Sequence, residues 1–357
     1  MVRIVRIASL LCLLSLSCAV VRAQPAPPWQ PAIDESLALY LKGQYQKSIE
    51  VANAGIAEVT SSFSADHPGA ATFLVRIGEA YRMQARYPEA EAALQRALRI
   101  FERVFGAHHR SVAFALTSYG MLRVYQNRMA EGEDMLARAT AIRERNYGED
   151  ANSALALNGL SRIYASRGEV GRVEATLKKA LEIAERTSRP EHPIVAGTLA
   201  NLAALYTQHK RYREAEAIYR RTLAVWERSP ENPFAVSALN GLGDLYRAED
   251  RLDDAAAMYK KAIALVDNSL DRDHPQMADS LAGAASIQFL QGEYDGAEAL
   301  YKRALQIRES TLGEIHPDTI RAMEALAEVH FKLGQTAEGE KLETRALDLR
   351  TSKRPAG

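Results

Sequence analysis

Residues 201–223 read NLAALYTQHKRYREAEAIYRRTL, and this stretch decides the fold. Asn201-Leu202-Ala203-Ala204-Leu205-Tyr206 places apolar side chains at helical spacing, and Tyr212-Arg213-Glu214-Ala215-Glu216 opens a second helical run. Between them lies a polar turn, Gln208-His209-Lys210-Arg211. The unit is therefore helix A, turn, helix B.

Aligning the chain on Ala215 finds a small or modest residue at Ser48, Ala90, Gly132, Val173, Ala215, Ala255, Ala297 and Gly339, spaced by 42, 42, 41, 42, 40, 42 and 42. Seven residues further on stand Gly55, Ala97, Ala139, Ala180, Thr222, Ala262, Ala304 and Ala346, all small. A step of seven is about two helical turns, so both columns share one helix face. Small side chains there let a neighbouring helix approach closely. The next residue is apolar in seven of eight units, as in Leu98, Leu223 and Leu305, and fills the space between helices. Helix A recurs as Ile77-Gly78-Glu79-Ala80-Tyr81, Leu160-Ser161-Arg162-Ile163-Tyr164 and Leu242-Gly243-Asp244-Leu245-Tyr246. A fixed period of this length is the mark of a solenoid.

The pattern resembles the tetratricopeptide repeat in the 42-residue form of kinesin light chains. The resemblance rests on Leu-Ala-x-x-Tyr in helix A, Tyr-x-x-Ala-Glu at the turn, Tyr301-Lys302-Arg303-Ala304-Leu305 in helix B and a leading His-Pro, and covers roughly residues 33–350. It implies an all-α, right-handed superhelical solenoid of antiparallel helix pairs, with seven or eight units. The unit at 108–150 departs from the pattern, with Tyr125 out of phase, and Gln288 and His330 replace the helix A tyrosine in the last two units. The first unit has no recognisable start to helix A, because Pro31 and a proline-rich stretch occupy that place.

Outside the repeats, residues 1–23 set a basic start with Arg3 and Arg6 before fifteen largely apolar residues, then Val21-Arg22-Ala23 before Gln24. This three-part pattern predicts a cleaved secretory signal peptide and export to a periplasm or beyond. The apolar run falls short of the roughly 20 residues that a membrane span needs. Lipidation at Cys18 fits poorly, because Ser15 stands where a leucine is usual. Both cysteines, Cys12 and Cys18, lie in this segment, so the remaining chain has neither disulfide nor thiolate chemistry. Residues 24–32 read as an extended linker, and 351–357 as a flexible tail.

The chain carries 45 basic and 45 acidic residues, a balance that gives no footprint for nucleic acid. Removing residues 1–23 takes three arginines and no acid, leaving 42 basic residues. Membrane contact is expected only through the signal segment.

His67, His108, His109, His192, His274 and His316 look at first like a ladder of ligands. One histidine per repeat cannot converge on zinc, which needs nitrogens about 2.0–2.1 Å away from at least three side chains. Proline suits the first helical position and pushes its predecessor out of helical geometry, so His-Pro reads as the start of helix A. Asp66 and Asp273 add negative charge near the helix N-terminus. No phosphate loop, nucleophile elbow or His-Glu-x-x-His pair occurs. The sequence predicts no catalytic residues, no metal and no cofactor.

Glu174–Lys178, Glu216–Arg220 and Glu298–Lys302 have the favourable acid-first spacing of helix surface pairs. Arg96, Arg138, Lys179, Arg221, Lys261, Arg303 and Arg345 form a basic column, read as a solvated helix B face with acids alongside.

The resemblance places binding on the concave surface, lined by helix A. Carried over residue by residue, it offers Arg76, Glu79, Arg82, Tyr119, Arg123, Asn158 and Arg162 in the N-terminal half. In the C-terminal half it offers Asn201, Asn240, Asp244, Arg247, Asp279, Glu324 and Glu328. Asparagines can clasp a peptide backbone as donor and acceptor. Arginines lie early and acids late, so the expected ligand is an extended, charge-asymmetric peptide with its acidic part near Arg76, Arg123 and Arg162. Kinesin light chains use a basic groove for acidic peptide motifs, which points the same way. The reading is a non-enzymatic protein-interaction scaffold. The alternatives are a self-associating envelope protein, disfavoured by the polar last repeat (336–354), and an enzyme with an unrecognised site.

Overall fold

The structure, a computed structural model, describes residues 27–226, 233–269 and 273–351. The signal segment, the start of the linker and residues 352–357 lie outside the described residues. Sixteen helices and no strand occur among the described residues. They form eight A–B pairs: α1 (Gln30–Leu41) with α2 (Tyr45–Ser62), α3 (Pro68–Met83) with α4 (Tyr87–Phe105), α5 (Arg110–Tyr125) with α6 (Met129–Asn146), and α7 (Ala151–Ser166) with α8 (Val170–Thr187). The series continues as α9 (Pro193–Gln208) with α10 (Tyr212–Trp226), α11 (Pro233–Ala248) with α12 (Leu252–Ser269), α13 (Pro275–Leu290) with α14 (Tyr294–Leu312), and α15 (Pro317–Lys332) with α16 (Thr336–Thr351). Each helix packs on the next, and successive A helices from α1 to α13 also touch, so the pairs stack as a superhelical solenoid. None of the described helices is long and apolar enough to cross a membrane.

The unit count is eight. The first pair is complete because Pro31 sits in the opening turn of α1, where its missing N–H costs nothing. Residues 30–32 therefore belong to a helix rather than to the expected linker. The degenerate third unit also forms a full pair, α5 with α6.

All sixteen residues of the two small columns are buried. The contact is tight: a methyl group at Gly55 would come within 2.3 Å of the Phe73 ring. Ser48, the polar member of its column, donates to the Ser36 carbonyl at 2.7 Å, and Ser36 donates to the Ser48 carbonyl at 3.0 Å. That exchange satisfies both buried hydroxyls.

Each A–B turn closes the same way. The residue five before the first small column has positive φ in all eight repeats: Gly43, Ala85, Asn127, Gly168, Lys210, Asp250, Gly292 and Gly334. The following amide then reaches back five residues along helix A, as in Arg86 N to Tyr81 O at 2.9 Å and Arg211 N to Tyr206 O at 2.8 Å. This is the Schellman arrangement, in which a left-handed residue lets the last carbonyls of a helix be satisfied. Lysine, alanine, asparagine and aspartate hold that conformation here as well as glycine.

The superhelix completes one turn in six repeats, and successive turns touch. His274, at the start of repeat 7, brings Nε2 to 3.4 Å from the Leu41 carbonyl of repeat 1. The Gly43 turn abuts the Pro275 ring so closely that a Cβ at 43 would lie 2.2 Å from it. Leu312, ending α14, is buried in the N-terminal core cluster. Gln84 of repeat 2 shares a recess with Ser310 and Thr311.

Candidate functional site: the inner groove

The histidines act as helix caps. The Gly69, Ser111, Ile194, Gln276 and Asp318 amides donate to Nδ1 of His67, His109, His192, His274 and His316 at 3.1–3.2 Å. Each imidazole thus satisfies one of the unpaired amides of the first turn of its helix. In repeat 4, Asp150 takes this place with a capping box to Ser153. Sequence reasoning placed these residues at the helix start but missed that the ring itself is the cap. Among the described residues, no group of three or more His, Cys, Asp or Glu is placed to hold a metal ion.

Four of the seven cations of the outer basic column pair with an acid of the preceding repeat. Arg138 meets Glu102 at 2.7 Å, Lys179 meets Glu144 at 3.1 Å, and Arg345 meets Glu309 at 3.0 Å, each acid lying on the preceding helix B. Arg221 pairs with Glu185 in the same way. The acid-first pairs also form, Glu174–Lys178 at 2.7 Å, Glu216–Arg220 at 2.8 Å and Glu298–Lys302 at 2.5 Å.

A second set of acids on helix B reaches into the next repeat. Tyr206 donates to Glu174 at 3.0 Å, and Tyr246 donates to Glu216 at 2.9 Å. Arg211 and Lys178, each 2.7 Å away, together with Tyr206, hold the Glu174 carboxyl down to about 2. In the third repeat Arg123 stands where repeats 2, 4, 5 and 6 have a tyrosine. It is buried, bonded to Glu91 at 2.7 Å, to Tyr119 Oη at 2.6 Å and to Gln126 at 2.7 Å. Those bonds hold the Glu91 carboxyl below the usual range. Tyr119 is buried in the same network and donates to Glu91 at 3.3 Å. Two of the groove candidates, Arg123 and Tyr119, are thus committed to the seam between repeats 2 and 3.

The remaining N-terminal candidates do face the inner surface. A cavity of about 580 Å³ runs along α5, α7, α9 and α11 and is lined by Met121, Tyr125, Leu155, Asn158, Arg162 and Asn201, among others. A smaller one of about 230 Å³ adjoins it through Met121 and Leu155 and is lined by Tyr40, Arg76, Glu79, Arg82 and Ser118. Arg76 is paired with Glu79 at 2.5 Å. Arg82 and Arg162 have no ion-pair partner among the described residues. Both lie against the Tyr125 ring, at 4.7 and 4.9 Å from its centroid. The out-of-phase tyrosine is therefore the element that gathers the two cations, a role its sequence position did not reveal. Gly197 leaves the cavity floor open: a Cβ there would meet nothing within 4 Å. The neighbouring Tyr219 hydroxyl, pushed up to about 12 chiefly by burial, stays protonated in ordinary buffers.

The asparagines are less available than expected. Asn158 donates to Thr198 at 2.7 Å and accepts from Asn201 at 3.4 Å, and Asn240 accepts from Ser280 at 2.8 Å. On the C-terminal side, Asp244 pairs with Arg247 at 3.3 Å and accepts from Tyr259 at 2.8 Å. Asp279 meets Arg308 at 2.9 Å, Glu324 meets Arg350 at 2.5 Å, and Glu328 is exposed.

The family model described as "Tetratricopeptide repeat" matches seven overlapping windows, residues 35–103, 69–143, 111–186, 174–228, 194–268, 234–310 and 276–352. Among curated proteins, Nephrocystin-3 of Homo sapiens is 37% identical over 75 residues, 20% of this chain and 6% of that protein. Nephrocystin-3 of Xenopus tropicalis is 35% identical over the same length. The chain thus matches only a small part of these relatives. Among solved structures, the Cut9–Hcn1 hetero-tetramer of APC/C matches 89% of this chain and 52% of its own, at TM-score 0.57 and 13% identity. BtubC from P. vanneervenii covers 66% of this chain and 93% of its own, at TM-score 0.49 and 20% identity. At 13% identity the Cut9–Hcn1 likeness speaks for the fold alone.

Proposed function

The chain belongs to the tetratricopeptide repeat family, and on that premise we propose that it is an exported, non-enzymatic interaction scaffold holding an extended partner peptide in its inner groove. The supporting observation is the pair of adjoining cavities with Arg82 and Arg162 set around Tyr125. A solenoid offers its concave face to partners, and pockets that are mostly apolar with a few placed polar groups favour ligand binding. Two arginines without carboxylate partners favour an acidic stretch of the ligand at this end of the groove. Arg82 thus takes the place expected for Arg123. Export rests on residues 1–23 alone.

Titrating a fluorescent, glutamate-rich extended peptide against the purified chain tests the groove. Arg82→Gln with Arg162→Gln should raise Kd at least tenfold, with the folded state confirmed by circular dichroism. Equal affinity rejects the assignment. For export, N-terminal sequencing of the envelope fraction should find the chain beginning at Gln24.

A further inference from the structure

We infer that the contact between repeats 1 and 7 is a latch that closes the groove into a channel, admitting an extended polypeptide and excluding a folded domain. This deepens the groove reading above, but its test needs no ligand.

Four observations carry it. The His274 ring accepts the Gln276 amide on Nδ1, so its proton resides on Nε2, which faces the Leu41 carbonyl at 3.4 Å. Gly43 and Pro275 meet with no room for a side-chain atom between them. Leu312 of repeat 7 is buried against the core of the first repeats. Repeat 2 continues the contact, with Gln84 beside Ser310 and Thr311. A solenoid whose successive turns touch has no lateral gap along that line. The groove is then reached along the superhelix axis, a path suited to a chain with a free end.

Gly43 supplies the means of opening it. The turn needs positive φ at this position, and Asn127 supplies it in repeat 3. Gly43→Asn therefore keeps the turn and adds a clash with Pro275. Gly292 holds the same turn position with nothing within 4 Å, so Gly292→Asn is the matched control.

The reporter is Gly197→Cys on the open cavity floor, in the full chain with Cys12→Ser and Cys18→Ser. N-ethylmaleimide should label it readily, and a maleimide attached to a folded carrier protein at least tenfold more slowly. Gly43→Asn should remove that difference, and Gly292→Asn should preserve it. If Gly43→Asn does not fold, Lys42→Asp replaces it. Lys42 is exposed, and the new carboxylate would share a recess with Asp273. Equal labelling by both reagents with the intact seam, or identical behaviour of the seam variant and the control, overturns the inference.

Discussion

Arg123 Nη1 lies 2.7 Å from Glu91 Oε2, at the place where repeats 2, 4, 5 and 6 carry a tyrosine. In the fifth and sixth repeats that tyrosine hydroxyl bonds the acid of the preceding helix B. Here a guanidinium does the same, with Tyr119 one turn earlier completing the network. Removing one member of a largely buried ion pair leaves the other uncompensated, at about 3 kcal/mol. Arg123→Ala should lose about that much in urea denaturation, and Arg123→Glu more, because it sets two carboxylates together. Arg123→Ala with near-native stability would show the pair to be dispensable.

Gly197 allows the opposite test. Its equivalent in repeat 4 is Leu155, which lines both cavities. Gly197→Leu should fill the groove floor, while relief of the helical glycine contributes about 1 kcal/mol of stability. The expected result is a raised melting temperature with peptide affinity reduced at least tenfold. Stability gained with affinity intact would move the binding surface elsewhere.

The His192 cap makes the chain sensitive to acid. Its Nδ1 must be unprotonated to accept the Ile194 amide. For His192, burial and then Arg189 lower the pKa below the ordinary value. A lowered histidine pKa means that the neutral form is favoured on folding. That contribution is complete above the ordinary histidine pKa and is lost as pH falls through the lowered one. His192→Ala should cost about 1 kcal/mol at pH 7.5. His192→Asn, which keeps an acceptor without titrating, should flatten the change in melting temperature between pH 7.5 and 5. An unchanged acid slope would show that the ring is not the group responsible.

Glu174 titrates lower still. Its folded pKa lies near 2, below the ordinary carboxylate value, so its contribution is present at neutral pH and disappears as pH falls through about 2. Because the pair with Arg211 is part-exposed, Glu174→Gln should cost about 1 kcal/mol at pH 7. The difference from the parent chain should vanish below pH 2 in denaturation measured across pH.

The repeats were legible because packing writes them into the chain. A helix can approach another closely only over residues such as Ala90 and Ala97, and that need recurs with the geometry. Arg123 was legible in phase, nine residues before Gly132 as Tyr206 is nine before Ala215, but its type suggested a free cation rather than a buried tyrosine substitute. Pro31 looked like a breaker because no local pattern distinguishes a first-turn proline from a linker. Tyr125 beside Arg82 and Arg162 depends on how three A helices splay, and the Gly43–Pro275 contact depends on a small rotation summed over six repeats. Neither has a signature within one unit.

That summed rotation changes how the chain should unfold. Solenoid stability is ordinarily a sum over neighbouring units, so terminal repeats fray independently. Here Leu41 and His274, 233 residues apart in sequence, are neighbours. The energy of the first repeat is thereby tied to that of the seventh, and melting either end releases the other. Such a chain behaves less like a row of beads than like a hoop, losing its ends together.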